Sequence, residues 1–582
     1  MGFPFLHDHT LTTADPTAAA TVLPRWRQLQ LFKALAQEAG WGHLGQLAAL
    51  SAVSSVLDIA GLGLAITLLL SKGSAQNAMP GLSVNLPLTT SLALLVGLIL
   101  LRGLIQGRVA VSREQLRSGF TDRLRQQLLQ QVFSASSTQL EQLGRGDLLA
   151  LLMADINRTA LGLDQAVRML QALLAMLIYL ASVLLVGRTA AWPLLLALMA
   201  TAIAALLQRS GSWGLGRIQS RLNAALQRTV GDGLHGLKAV RAAAAERWLL
   251  DRFAQETAKG RWLLRERVRR RAGYNAWRDT LVVAIASLWL LLQGDAQTTD
   301  VLTTTLVLAY RAGSSLSGVV QARRLCLGNL PGYEALCLRR EQLRPGPEQA
   351  TGTVLNALAL TTLERNRWTQ LDWCSASRQN GRIHSLRLLP NQLVAVTGPS
   401  GWGKTTLLDQ ISGLQGEEHS AWTISCGGKC WQLSGPAGAR QLHALMACAP
   451  QHAALFEASL RDNLVLGREI PDATIATWLQ RLGLAHLLDR PDGLEAPMAL
   501  AQNPFSGGEI HRLGLLRAWL RDRPVDVLDE PTAFLDAVAA AQVRTVIQER
   551  SRQRLVLVSS HDPALLNLAD VVIDLATVAV AT

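Results

Sequence analysis

A chain of 582 residues is too long for one core, and 49% hydrophobic residues with a positive mean hydropathy suggest a membrane protein. The formal net charge of +13 points to anionic surroundings, either nucleic acid or the anionic face of a membrane. All cysteines fall from Cys326 onward and only Cys426 and Cys430 are close, with no second His/Cys pair at zinc spacing, so free thiols are expected and a disulfide framework is not.

Residues 1–40 are polar to mildly amphipathic, with Arg25, Arg27 and Lys33. They lack a charged start followed by an apolar core and a small-residue cleavage site, so no signal peptide is expected. The first apolar run, 44–70, is long enough to cross roughly 30 Å of hydrocarbon as a helix. A loop with Gly73, Pro80, Gly81 and Pro87 leads to the second, 88–104. Runs 167–186 and 191–207 are separated only by Gly187-Arg188-Thr189-Ala190, which makes a tight hairpin. Runs 280–292 and 301–320 complete six spans, the fifth being the shortest.

Arginines set the orientation. They crowd the stretches before span one, between two and three, and between four and five, where Arg265, Arg267, Arg269, Arg270 and Arg271 sit together. The opposite loops carry little beyond Lys72 and Arg188, so both termini are expected in the cytosol. Trp41, Trp192 and Trp277 lie at span starts, where interfacial aromatics belong. The stretches 105–166 and 208–279 have helix-period leucines, as in Leu124, Leu128, Leu129 and Val132. Each reads as a helical hairpin reaching on the order of 40 Å from the membrane. The hairpins break near Gly144 and Gly236. Asp58, inside span one, is either on a substrate path or paired with a neighbouring helix, and no basic partner can be named from sequence.

A Pro/Gly-rich linker, 341–352, precedes a segment where β-type runs and short helices alternate, as in a parallel α/β sheet. There Leu393-Val394-Ala395-Val396 leads into Gly398-Pro399-Ser400-Gly401-Trp402-Gly403-Lys404-Thr405-Thr406, a strand, glycine-rich loop and helix start. Glycine lets successive N–H groups turn toward a phosphate, Lys404 reaches the β- and γ-phosphates, and Thr405 offers a hydroxyl to Mg²⁺. Val525-Asp526-Val527-Leu528-Asp529-Glu530 is a buried strand ending in paired carboxylates, suited to holding Mg²⁺ and polarising water. Phe505-Ser506-Gly507-Gly508-Glu509 opens another helix and is a second anion site. Two cradles in one chain suggest a site closed across two copies.

The order of P-loop, Gln451, Ser506-Gly507-Gly508, Asp529-Glu530-Pro531-Thr532, Asp536 and His561 resembles an ABC-transporter nucleotide-binding domain. Six spans fused ahead of it resemble the exporter half-transporter. The resemblance implies an all-α six-helix transmembrane domain with long cytosolic extensions, followed by an α/β P-loop ATPase domain. The expected division is 1–40, 41–340, the linker 341–352, and 353–582. By position, it implies that residues 398–406 bind ATP, that Thr405, Gln451 and Asp529 serve Mg²⁺, and that Glu530 is the general base. Gln451 also senses the coupling helices, which the breaks near Gly144 and Gly236 resemble. His561 contacts the γ-phosphate, Asp536 is the D-loop residue, and Ser506, Gly507 and Gly508 hold ATP on a partner subunit. It further implies an exporter or flippase in a bacterial inner membrane, with its ATPase in the cytosol. The expected partners are a second half-transporter, as a homodimer before a heterodimer, together with membrane lipid and an unidentified cargo, but no nucleic acid. The alternative is an ATP-gated regulator or channel with little turnover.

This sequence departs from the family pattern at several points. Phe505 and Glu509 replace leucine and glutamine in the signature, and Asn391 replaces a glycine. Ser375 stands near where an adenine-stacking aromatic is expected, leaving Trp373 and Trp368 as substitutes. The usual acidic loop is absent from 496–504, and no peptidase-like segment precedes span one.

Overall fold

The computed structural model describes residues 24–70, 87–187, 191–207, 212–258, scattered positions from 261 to 289, and 299–344. Beyond these it describes 368–375, 385–416, 419–426, 428–498 and 505–578. The chain divides into two compact units, Met1–Phe133 with Leu143–Gln342, and Ser134–Gln142 with Leu343–Thr582.

The secondary-structure elements described in the first unit are all helices. Helix α1 (Arg25–Ala39) leads into α2 (Trp41–Leu70), and α3 (Leu88–Ser134) follows. Two short helices, α4 (Ser137–Leu143, grouped mainly with the second unit) and α5 (Arg145–Ala150), break the path before α6 (Ile156–Gly187). Then come α7 (Trp192–Leu207), α8 (Ser212–His235), α9 (Leu237–Ala242) and α10 (Thr299–Gln342). With 47 residues, α3 is about 70 Å long and changes character along its length. Its first half exposes Leu94, Val96, Ile99, Leu100 and Leu104, as a lipid-facing helix does. Its second half buries Leu116, Phe120, Leu124 and Leu128, one stripe at helical spacing. The expected breaks fall at Gly144, which has the left-handed φ of 71°, and at Gly236, between α8 and α9.

Windows long and apolar enough to cross a membrane occur in Trp41–Ile66, Leu88–Ser134 and Gly146–Gly187, and Trp192–Thr201 is a shorter apolar helix. The chain is an integral, multi-pass membrane protein. The expected fifth span, 280–292, lies mostly outside the described residues. The sixth, 301–320, is helical within α10 but carries Thr303, Thr304, Thr305, Arg311, Ser314 and Ser315, which makes it the most polar of the set. Helix α10 packs chiefly along α6 and also against α8, where a Cβ on Gly216 would stand 2.2 Å from the Gly328 carbonyl oxygen. Only glycine permits that approach.

Asp58 is 3% exposed and fully engaged. Arg102 Nη1 from α3 lies 2.5 Å from one oxygen, Arg311 Nη1 from α10 lies 3.9 Å from the other, and the Tyr179 hydroxyl donates to it. The basic partners that sequence could not name come from helices 40 and more residues away in the chain.

The second unit holds two sheets. Strands β1 (Gln370–Ser375), β2 (Ser385–Leu388), β4 (Ser420–Cys426) and β5 (Lys429–Ser434) form an antiparallel sheet in the order β2-β1-β4-β5. Strands β3 (Leu393–Thr397), β6 (Met446–Ala449), β7 (Val525–Asp529), β8 (Leu555–Ser559) and β9 (Val571–Asp574) form a parallel sheet in the order β6-β7-β8-β3-β9. Buried on both faces, β7 and β8 read as unbroken runs with no exposed position. Helices α11 (Lys404–Ser412), α12 (Gly435–Leu442), α13 (Leu460–Val465), α14 (Asp472–Arg481), α15 (Gly507–Trp519), α16 (Ala537–Ser551), α17 (Pro563–Leu566) and α18 (Leu575–Val578) follow their strands.

Candidate active site

The strand order puts β7, β8 and β3 side by side, so their C-terminal ends deliver Asp529, Ser559 and the loop 398–403 to one edge of the sheet. This is where open α/β sheets hold their ligands. The loop leaves β3 through Gly398 (φ 144°), turns at Gly401 (φ 80°) and enters α11 through Gly403 (φ 88°). At Gly401 and Gly403 a Cβ would meet nothing within 4 Å, so backbone angle, not crowding, selects glycine there. Trp402 packs against the core beneath the loop, its N–H 3.3 Å from the Pro399 carbonyl oxygen.

Lys404 is buried at the start of α11. Its Nζ donates to the Gly398 carbonyl at 2.9 Å and the Pro399 carbonyl at 3.4 Å, and stands 2.7 Å from His561 Nε2. Thr405 is exposed beside Lys404 and Thr406 half-buried. His561 Nε2 also lies 3.6 Å from Glu530 Oε1. Glu530 is itself held tightly: its N–H donates to the Ser559 hydroxyl at 2.9 Å, and its φ is 48°. A non-glycine residue in that region is strained, and such strain clusters at working sites.

Asp529 ends β7 with one oxygen accepting the Ser559 hydroxyl and the other, Oδ2, buried without a hydrogen-bond partner. Burial pushes the nearby Asp409 carboxyl up to about 6, and the Asp529 charge adds to the effect. A buried carboxylate oxygen without a hydrogen-bond partner, beside a second acid, suits a cation. The residues present therefore fit Mg²⁺.

Gln451 follows β6 and is half-buried; its carbonyl lies 3.2 Å from His511 Nδ1. His511, absent from the sequence expectation, also faces the backbone of Glu530 and Pro531 and meets the Phe534 ring edge-on. Burial lowers its pKa, and the imidazole ties the Gln451 loop to the Glu530 turn. Ser506 and Gly507 are exposed, and Ser506 caps α15 in a reciprocal capping box with Glu509. His486 Nε2 lies 2.8 Å from the Glu509 carboxylate. Burial alone would raise the Glu509 pKa, but the Ser506 N–H and His486 hold it below the usual range. Asp536 caps α16 through the Ala539 N–H at 2.8 Å.

Thus Lys404, Asp529, Glu530 and His561 meet at one edge, while Gln451 joins them through His511. The substitutes for an adenine-stacking aromatic do not reach the surface: Trp373 is 1% exposed and Trp368 5% exposed.

The family described as "ABC transporter" matches residues 382–533. The chain is 33% identical to the glutathione/L-cysteine transport system ATP-binding/permease protein CydC of Escherichia coli over 34% of this chain and 33% of that one. It is 25% identical to the corresponding CydD of Bacillus subtilis over 74% of each, and 29% identical to the ATP-dependent lipid A-core flippase of Burkholderia orbicola over 35% of this chain and 34% of that one. The chain spans about a third of the length of the first curated relatives it matches. Among solved structures, a bacterial Atm1-family ABC exporter with ATP bound superposes with a TM-score of 0.70, covering 91% of this chain and 92% of that one at 16% identity. The fold is that of an ABC exporter.

Proposed function

We propose, from the premise of a chain built as an exporter-type ABC half-transporter, that it hydrolyses ATP to move a cargo across or between the leaflets of a bacterial inner membrane, with the ATPase domain in the cytosol. In this reading the chain divides into 1–40, 41–340, 341–352 and 353–582. The observation that carries it is the convergence of Lys404, Asp529, Glu530 and His561 at the C-terminal ends of adjacent parallel strands.

The N–H groups of residues 398–403 and the α11 N-terminus cradle the phosphates of ATP, and the Lys404 amine swings from the Gly398 carbonyl to their oxygens. Thr405, Gln451 and the open Asp529 oxygen would hold Mg²⁺, which neutralises phosphate charge. Glu530 accepts a proton from the attacking water, and His561 fixes the γ-phosphate opposite. Ser506, Gly507 and Gly508 are exposed or half-exposed at the start of α15, presented to the ATP of a second half-transporter, and Asp536 braces that contact. A homodimer is the simplest assembly. Relatives named for glutathione or cysteine transport, glucan export, mycobactin import and lipid A flipping differ too widely to select a cargo.

Glu530→Gln tests the reading. ATP binding should persist while hydrolysis falls at least about a hundredfold, the usual loss for a general base. Unchanged turnover would remove Glu530 from the base role, and a wild-type chain that binds ATP with little turnover would support an ATP-gated regulator.

A further inference from the structure

We propose that the cavity within the helical unit binds a small polar organic anion, and that this is the cargo class of the transport reading on which the assignment rests. The cavity holds about 630 Å³, the size of pockets that enclose drug-sized ligands. Its wall mixes small apolar residues with hydroxyl and amide groups, the latter from Ser54 and Ser55 of α2, Gln106 of α3, Gln171 of α6 and Gln321 of α10. Among the described residues the only large apolar side chains there are Val109 and Leu325, too few to solvate acyl chains. Gln171 keeps a buried Nε2 donor without a hydrogen-bond partner. Such a donor costs stability until an acceptor reaches it.

Charge decides the sign of the ligand. Arg113 and Arg168 line the cavity and no carboxylate does so among the described residues. Both guanidinium groups share Asp164, with Nε–O distances of 3.0 Å each, and Gln165 donates to the same carboxylate. One carboxylate against two guanidinium groups leaves a positive charge over. The same ratio recurs at Asp58 with Arg102 and Arg311. Asp58 lies one turn beyond Ser54 and Arg102 one turn before Gln106, about 6 Å further along each helix. Two surplus positive charges along the cavity attract an anion and repel a cation.

The test uses full-length protein in phosphatidylcholine nanodiscs without ATP, read by fluorescence anisotropy. Carboxyfluorescein is the anionic probe and rhodamine 123 a cation of the same ring system. Carboxyfluorescein should bind and rhodamine 123 should not. Arg113→Gln with Arg168→Gln should weaken carboxyfluorescein at least about tenfold, whereas Asp164→Asn, which releases both guanidinium groups, should tighten it by a similar factor. The second variant keeps the test open if the first does not fold. Equal binding of the cation, or no change in either variant, would overturn the assignment. Displacement of the probe by added phosphatidylglycerol would overturn it in favour of a lipid headgroup. Since binding is read without ATP, a chain that hydrolyses no ATP defeats the transport reading and leaves the anion result standing.

Discussion

At the scale of single residues, Trp373 shows how pattern and position can point in different directions. It stands near where the family stacks an aromatic on adenine, yet β1 alternates Leu371 and Trp373 inward against Asp372 and Cys374 outward. In register it opposes Trp422 of β4 and Leu386 of β2, inside the core between the sheets. Trp373→Ala should therefore cost about 3–5 kcal/mol, lowering the melting temperature of the nucleotide domain by about 10 °C. Nucleotide affinity should stay within about twofold, since stacking on a base would contribute about 1–3 kcal/mol if present. A stable variant with weakened ATP binding would reverse the assignment. The contiguous motifs were legible in the sequence because 398–405 and 525–530 each set their own local geometry. Ser559 and His511 were not legible. Their partners, Asp529, Glu530 and Gln451, come from other strands and loops, and only the order of the parallel sheet brings them together.

The same contrast holds for whole elements. Apolar runs announce α2, the first half of α3, and α6, whereas the more polar α10 has no window apolar enough to count as a span among the described residues. The break near Gly144 was visible, whereas the helix that joins the nucleotide unit lies just before it, at α4. There the Gly416 N–H donates to Ser137 Oγ at 3.3 Å and Gln415 Nε2 to Glu141 at 3.1 Å, while Arg440 reaches the Ser134 carbonyl at 3.0 Å. Gln415 and Gly416 follow α11, which begins at Lys404, and α4 continues through α5 into α6. The end of the P-loop helix is thus hydrogen-bonded to α4, the segment that leads on through α5 to α6. Two such bonds are worth about 1–3 kcal/mol together. Glu141→Ala combined with Ser137→Ala should cut transport about tenfold. Hydrolysis without cargo should remain within about twofold. Parallel loss of both activities would show α4 to be a folding element instead.

For the whole molecule, the decisive question is whether one chain suffices. Each chain carries one P-loop and one Ser506-Gly507-Gly508 motif, the latter exposed at a helix start that its own capping box already satisfies. If the two motifs meet across a pair of chains, Lys404→Ala should abolish ATP binding at its own loop, and Ser506→Arg should leave binding and block closure. Mixing the two inactive variants then produces, in half of random pairs, an assembly with one interface free of both lesions and one carrying both. Recovery of ATPase in the mixture, up to about a quarter of wild type if one intact site turns over on its own, is the expected result. That figure combines the half-share of mixed pairs with one working site of two, under the symmetry of a two-fold assembly. Full activity of either variant alone would refute the shared site. Recovery only when a different half-transporter is supplied would identify a heterodimer and set aside the homodimer.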